Sequence, residues 1–178
     1  MKPKLVLHVC CAPDEAYVVQ TLMESRDLVC FFCNPNIAPA EEYDLRLRQA
    51  RQVAERYGVH FSADGYAPDT WEIAMKGAGD TPEGGERCRR CFTLRLRRTA
   101  AFCQARGLPS FTTVMSISPH KSVVLLNECG IAAAREYGVA YEPSDFKKKD
   151  GFRNSTLLSK KLGLYRQDYC GCRFSMRT

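Results

Sequence analysis

The 178-residue chain contains no apolar run approaching the ~18–20 residues of a membrane span, which excludes a bilayer-crossing helix. GxGxxG and GK[ST] are both missing, so no glycine-rich phosphate loop supports nucleotide binding. Histidine is scarce: of the three, His60 and His120 have no partner at metal-ligand spacing. His8 lies inside a strand-like run, where a satisfied core histidine is the ordinary outcome. Internal repeats and low-complexity tracts are absent as well. The opening Met1-Lys2-Pro3-Lys4 passes straight into strand-like residues, so no secretory leader is expected and the expected location is cytoplasmic.

What the chain has in excess is cysteine, ten residues in a chain with 45% hydrophobic and 26% charged residues. A domain of this length does not need disulfides to fold, and nothing points to an oxidising compartment. Metal binding is the leading explanation. The formal charge of +6 is also unevenly placed. Residues 145–178 hold nine Lys or Arg against three Asp, which accounts for the whole excess. A second block, Glu86 to Arg106, has seven Arg against one Glu. Basic blocks are often merely solvated surface, but two of them beside cysteine motifs point to a polyanion such as RNA.

Apolar runs and breakers predict strands at Lys4–Cys10, Leu28–Cys33, Val59–Phe61, Ser110–Val114 and Val139–Tyr141. Helical spacing predicts helices at Asp14–Ser25, Ala40–Tyr57, Asp69–Lys76 and Arg89–Arg106, then from Ser118-Pro119 to Tyr137 and near Ser155–Leu162. Gly77–Gly85 reads as a loop. Alternating strands and helices predict one α/β domain over 1–178, a mostly parallel sheet with helices on both faces. The basic segment 145–178 is expected to contribute Cys170 and Cys172 to a site at the carboxyl ends of the strands.

Location sorts the cysteines. Cys30 and Cys33 fall on opposite faces of one strand, and Cys103 and Cys129 lie on apolar helix stripes; all four read as core. The other six form three pairs at breaks in regular structure: Cys10-Cys11, Cys88-x-x-Cys91 and Cys170-Gly171-Cys172. A CxxC at a helix start lets two thiolates converge where the helix end favours negative charge. Glycine between two cysteines permits the sharp backbone that turns both sulfurs to one centre. With Asp14, the six exceed the four ligands of a closed zinc site. An iron–sulfur cluster commonly takes four cysteines, leaving two and a carboxylate for a mononuclear metal with an open position. Spacing leaves open which sulfur serves which centre. Glu42-Tyr43 with Arg46 could line the same mouth or begin an ordinary surface helix. Tyr165-Arg166-Gln167 could stack on an extruded base or simply pack.

Four stretches carry a resemblance: His8-Val9-Cys10-Cys11-Ala12-Pro13-Asp14, Asn34-Pro35-Asn36-Ile37, Cys88-x-x-Cys91 and Leu164 to Cys172 (LYRQDYCGC). Together they resemble the QueH-type epoxyqueuosine reductases. Phe111-Thr112-Thr113, Ser118-Pro119-His120-Lys121, Asp145-Phe146-Lys147-Lys148 and Leu158-Ser159-Lys160 are similar to further landmarks of that family. Cys33 stands where an aromatic residue is expected, and Val114 where a third threonine is usual. The resemblance implies a fold like the adenine-nucleotide α-hydrolases (HUP-like). It implies a cobalamin-independent enzyme reducing epoxyqueuosine to queuosine at the tRNA wobble position, the last step of queuosine formation. It also implies a [4Fe–4S] cluster beside a mononuclear iron, held by Cys10, Cys11, Cys88, Cys91, Cys170, Cys172 and Asp14, with Cys11 and Asp14 catalytic. The tail and the Arg87–Arg98 block would then hold anticodon phosphates, and a ferredoxin- or flavodoxin-like protein would donate electrons.

Two other functions compete. A tRNA thiolase of the same fold needs a glycine- and serine-rich loop after the first strand, where this chain has Cys-Cys-Ala-Pro-Asp. A zinc-stabilised RNA-binding module would use the cysteines without catalysis.

Overall fold

Leu5, Val6, Leu7 and Val9 leave the first strand almost no polar face to offer water, so it must lie in a sheet covered on both sides. In the computed structural model, which describes residues 1–176, β1 (Lys4–Val9) is the central strand of five. The order is β3-β2-β1-β4-β5 and every pairing is parallel. The other strands are β2 (Asp27–Phe32), β3 (His60–Ala63), β4 (Ser110–Thr113) and β5 (Ala140–Tyr141). Between them run α1 (Ala12–Leu22), α2 (Ala40–Tyr57), α3 (Pro68–Met75), α4 (Glu86–Arg106) and α5 (Val123–Tyr137), with α6 (Gly151–Lys161) following β5. Helix α1 packs on α2 and α6, and α4 packs on α5, giving the two helical layers. Arg177 and Thr178, the end of the basic segment, lie outside the described residues.

Several predicted boundaries move: α1 ends at Leu22 rather than Ser25, α5 begins at Val123 rather than Ser118, and α6 at Gly151 rather than Ser155. The starts of α1 and α4 and the end of β4 shift as well. Helix α1 begins at Ala12 rather than Asp14, because Pro13 fits the first turn, where no N–H is needed. Helix α4 begins at Glu86 rather than Arg89, which sets Cys88 and Cys91 inside its opening turns. Val114 leaves the strand for a short 3-10 turn, Val114–Ile117, whose start is capped by Thr113 Oγ1 accepting from Met115 N at 3.1 Å. The stops at Gly58 and Gly107 fall where predicted, with φ of 64° and 62°, a left-handed conformation that glycine adopts freely. None of the helices among the described residues is long and apolar enough to cross a membrane.

Past β5 the chain climbs back over α1. Ser155, on α6, donates to Pro13 O at 3.1 Å, and Gly151 lets α6 start hard against the preceding turn. A Cβ on Gly151 would lie 1.7 Å from the Phe146 carbonyl oxygen, a backbone atom with no rotamer to escape through. Gly151→Ala is therefore expected to destabilise the fold by about 1–3 kcal/mol, read from denaturant midpoints. An unchanged midpoint would contradict this packing.

Candidate metal centre

Ligands bind at the carboxyl end of an open parallel sheet where connections leave to opposite faces. In this sheet that place lies beyond β1, and Cys10 and Cys11 fill it. Cys11 has extended backbone and caps α1, so the chain turns there and brings Asp14 round in the first helical turn. Cys10 Sγ lies 3.9 Å from Cys11 Sγ and 4.0 Å from Asp14 Oδ2. The ligand atoms of these three residues all fall within 4.8 Å of one another.

The second and third pairs meet beside the first. Cys88 and Cys91 sit one turn apart at the start of α4, and Cys88 Sγ accepts the Gly84 amide at 3.2 Å. The tail is carried to them by Arg46, whose guanidinium is 2% exposed. It pairs with Glu42 at 2.7 Å and donates to the carbonyls of Cys170 at 3.0 Å and Tyr169 at 3.1 Å. Gly171 has φ of +128°, a conformation other residues rarely adopt, and a Cβ there would crowd Ile37 at 3.0 Å and Arg46 at 3.2 Å. Its carbonyl accepts the Ala38 amide at 2.9 Å. Cys172 then packs with Cys91 against Trp71 and Met75 in a small buried cluster of their own. Cys88 lies in the electrostatic field of Cys170 and Cys172, and Cys91 in that of Cys170.

Charge at the site is arranged for anions. The hydrogen bond with Cys11 lowers the Cys10 thiol to about 7, while the same bond and then burial hold Cys11 well above the usual thiol range. Burial raises Asp14, with Lys121 pulling the other way. Burial also raises Cys88 and Cys91. Against these stand two cations. Burial works against the charge of Arg95, but the sulfurs of Cys91, Cys10 and Cys170 outweigh it and raise its pKa. Lys121 behaves likewise under Cys170, Cys10 and Asp14. All ten cysteines are free thiols. Six sulfurs and a carboxylate, uncrosslinked and accompanied by the buried Arg95 and the partly buried Lys121, are a donor set that fits thiolate-bound metal. A cavity of about 320 Å³ opens above Cys10, Asp14 and Cys170.

The family model described as "Epoxyqueuosine reductase QueH" matches residues 5–178. The chain belongs to this family. It is an epoxyqueuosine reductase by descent, an oxidoreductase of queuosine formation. The relative named "Epoxyqueuosine reductase QueH" in Streptococcus pyogenes serotype M1 is 36% identical over 99% of this chain and 72% of its own length. Its namesake in Thermotoga maritima is 37% identical over 97% and 90%, and that of Acinetobacter baylyi 38% over 98% and 81%. Among solved structures, the U34-tRNA thiolase NcsA from Methanococcus maripaludis with its [4Fe–4S] cluster aligns at TM-score 0.60 and 14% identity, covering 99% of this chain and 62% of that one. A predicted subunit of tRNA methyltransferase from Methanocaldococcus jannaschii aligns at 0.57 and 12%, covering 85% and 74%. Those two show the HUP-like fold and nothing of the chemistry. Family membership favours the reductase over the thiolase and the zinc-module readings.

The four cysteines read as core are core. Cys30 lies beside the buried Glu15, and Cys33 is 3.4 Å from Asp64 Oδ2. Cys103 faces Ser110 O at 3.9 Å, its thiol pushed up to about 12 by burial. Cys129 lies 3.5 Å from Thr93 Oγ1. His8 is likewise satisfied, 2.9 Å from Thr113 Oγ1 and 3.0 Å from Cys33 O, with burial lowering it to about 3.

The Arg87–Arg98 block departs from expectation. Arg87 turns inward to the carbonyls of Gly79 and Thr81, and Arg95 is buried. Arg89 pairs with Glu128, Arg90 with Glu86, Arg97 with Glu136 and Arg98 with Asp64. Arg87 and Arg95 are turned inward, and Arg89, Arg90 and Arg97 are already in surface ion pairs, so the block does not present a free basic face.

Two residues at the site escaped notice in the sequence. Arg95 stands one turn beyond Cys91 on the buried face of α4, a spacing that could have found it. Lys121, part of a family landmark with no assigned role, reaches the cavity only through the turn after β4. Alanine placed singly at Cys30, Cys33, Cys103 or Cys129 is expected to leave iron content per chain unchanged after anaerobic reconstitution. Alanine at any of the six site cysteines is expected to lower it. Loss of iron on replacing one of the four core cysteines would contradict this division.

Proposed function

We propose that the protein reduces epoxyqueuosine in tRNA at the cavity above Cys10 and Asp14, with two metal centres beneath it. The observation that carries this reading is the Cys10-Cys11-Asp14 cluster at a cavity that Cys170 also lines, with Cys88 and Cys91 in the electrostatic field of the tail cysteines, in a chain of this family. Cys88, Cys91, Cys170 and Cys172 would hold a [4Fe–4S] cluster, and Cys10, Cys11 and Asp14 a mononuclear iron. Bound there, the two centres would supply single electrons and a Lewis-acid position for an oxygen. The overall change consumes two electrons and two protons: both epoxide C–O bonds break, oxygen leaves as water, and a carbon–carbon double bond remains.

The chain's own residues bind, orient and protonate. Lys121 Nζ carries a proton beside Asp14 and Cys10, where the departing oxygen gathers negative charge. Tyr169, Arg166 and Gln167 line the cavity, and Gln167 Oε1 is buried without a hydrogen-bond partner, an acceptor available to a base N–H. Single-stranded bases are read in this way, splayed from the stack onto polar and aromatic side chains. With the exposed arginines of α4 already in surface ion pairs, phosphate binding falls to the tail. Lys148, Lys149, Arg153, Lys160 and Lys161 are exposed, and none forms an ion pair among the described residues. Electrons would come from a small ferredoxin- or flavodoxin-like protein.

Anaerobic turnover of epoxyqueuosine-containing tRNA with a chemical reductant, read by nucleoside mass spectrometry, tests the reading. Iron-loaded protein is expected to form queuosine, and Asp14→Ala to lose that activity while still binding tRNA. No queuosine from loaded protein would overturn the proposal. Lys148→Ala with Lys149→Ala is expected to flatten the salt dependence of tRNA binding by about 0.7 in log–log slope per lost phosphate contact. Arg97→Gln should leave that slope alone. The reverse pattern would return phosphate binding to α4.

A further inference from the structure

Trp71 is the single tryptophan of the chain, and it is 2% exposed. It stands one turn before Met75 on α3, and both face Cys91 and Cys172 in a buried cluster separate from the main core. A buried indole N–H normally finds an oxygen acceptor, since leaving it unpaired costs stability. Nε1 of Trp71 is buried and has no hydrogen-bond partner among the described residues. Cys91 is its neighbour in that cluster, and the Trp71 N–H favours the charged form of the Cys91 thiol.

A second donor approaches the same atom. Arg95 Nη1 lies 3.9 Å from Cys91 Sγ, while its Nη2 donates to Asn34 Oδ1 at 2.7 Å, which fixes the plane of the guanidinium. Arg95 Nε is buried without a partner as well. Both donors are costly to bury opposite a neutral thiol, a weak acceptor. Opposite a metal-bound thiolate they become charge-assisted hydrogen bonds. Cys88, half-exposed, has only the Gly84 amide at 3.2 Å. The donor field is therefore lopsided, with a neutral and a cationic N–H gathered near Cys91, the buried sulfur of the pair.

We infer that Trp71, together with Arg95, tunes the reduction potential of the cluster by hydrogen bonding to the Cys91 sulfur. This rests on the assignment of Cys91 to the cluster above. Donors to cluster sulfurs stabilise the extra negative charge of the reduced state, so they raise the potential. Trp71 is thus a positioning residue for electron density, touching neither substrate nor the carbons that react.

The test compares the unsubstituted protein with Trp71→Phe, which keeps an aromatic ring and removes the N–H. Both are reconstituted anaerobically, assayed for iron and sulfide, and titrated with a graded reductant followed by electron paramagnetic resonance. The expected result is equal loading with a midpoint shifted to more negative potential in Trp71→Phe. Equal midpoints at equal loading would overturn the inference. If Trp71→Phe does not load, the unsubstituted protein grown with ¹⁵N-indole-labelled tryptophan decides. Because there is one tryptophan, a ¹⁵N coupling in the pulsed spectrum of the reduced cluster reports Trp71 alone and supports the inference, while its absence overturns it. Failure of the unsubstituted protein to take up any cluster would instead sink the metal assignment itself, and this inference with it.

Discussion

The site depends on one buried ion, the guanidinium of Arg46. Burying such a charge costs several kcal/mol unless its donors are used, and removing a partner from a buried pair typically costs about 3–5 kcal/mol. Here Glu42 neutralises it, and the carbonyls of Tyr169 and Cys170 take two further N–H groups. The tail is thereby fastened to α2. Without that clamp, Cys170 and Cys172 would sit on a turn-rich segment with no strand or helix of its own to direct them. The left-handed bend at Gly171 acts only after the clamp has set the segment's path.

Around that fastening the cysteines divide by mechanical support. Cys10 and Cys11 rest on the central strand and the first turn of α1, the stiffest part of the sheet. Cys88 and Cys91 rest on a helix opening, where free N–H groups favour negative charge. The tail pair has neither support and borrows its rigidity from Arg46, Tyr169 and the Ala38–Gly171 backbone pairing. Metals held by all three would also tie the tail down, and would couple metal binding to the order of the segment around Cys170 and Cys172.

The electrostatics follow the same logic. A set of thiolates and a carboxylate is unstable in a low-dielectric interior unless something positive faces it. Arg95 and Lys121 supply that charge from opposite elements, one from α4 and one from the turn after β4. The arginine-rich look of α4 is a consequence of this and of its surface pairs. Its charges are used to hold Asp64, Glu128 and Glu136, and to support the cysteines, which leaves the tail lysines as the free basic face.

Periodicity and breakers determined most of the fold: buried strands with no polar face require a doubly covered parallel sheet, and Gly58 and Gly107 end helices because few other residues tolerate positive φ. The pairing of cysteines likewise singled out the candidate ligands, although Cys88 and Cys91 lie inside α4, where a spacing of three keeps both sulfurs on one helix face. Which cysteines share one cavity was beyond the sequence, because Cys10 and Cys170 reach it from opposite ends of the chain and no local spacing encodes that meeting. The use of the arginines was equally hidden. A composition count sees seven positive charges on α4, but only the folded arrangement reveals which of them already face a carboxylate, a carbonyl or a sulfur.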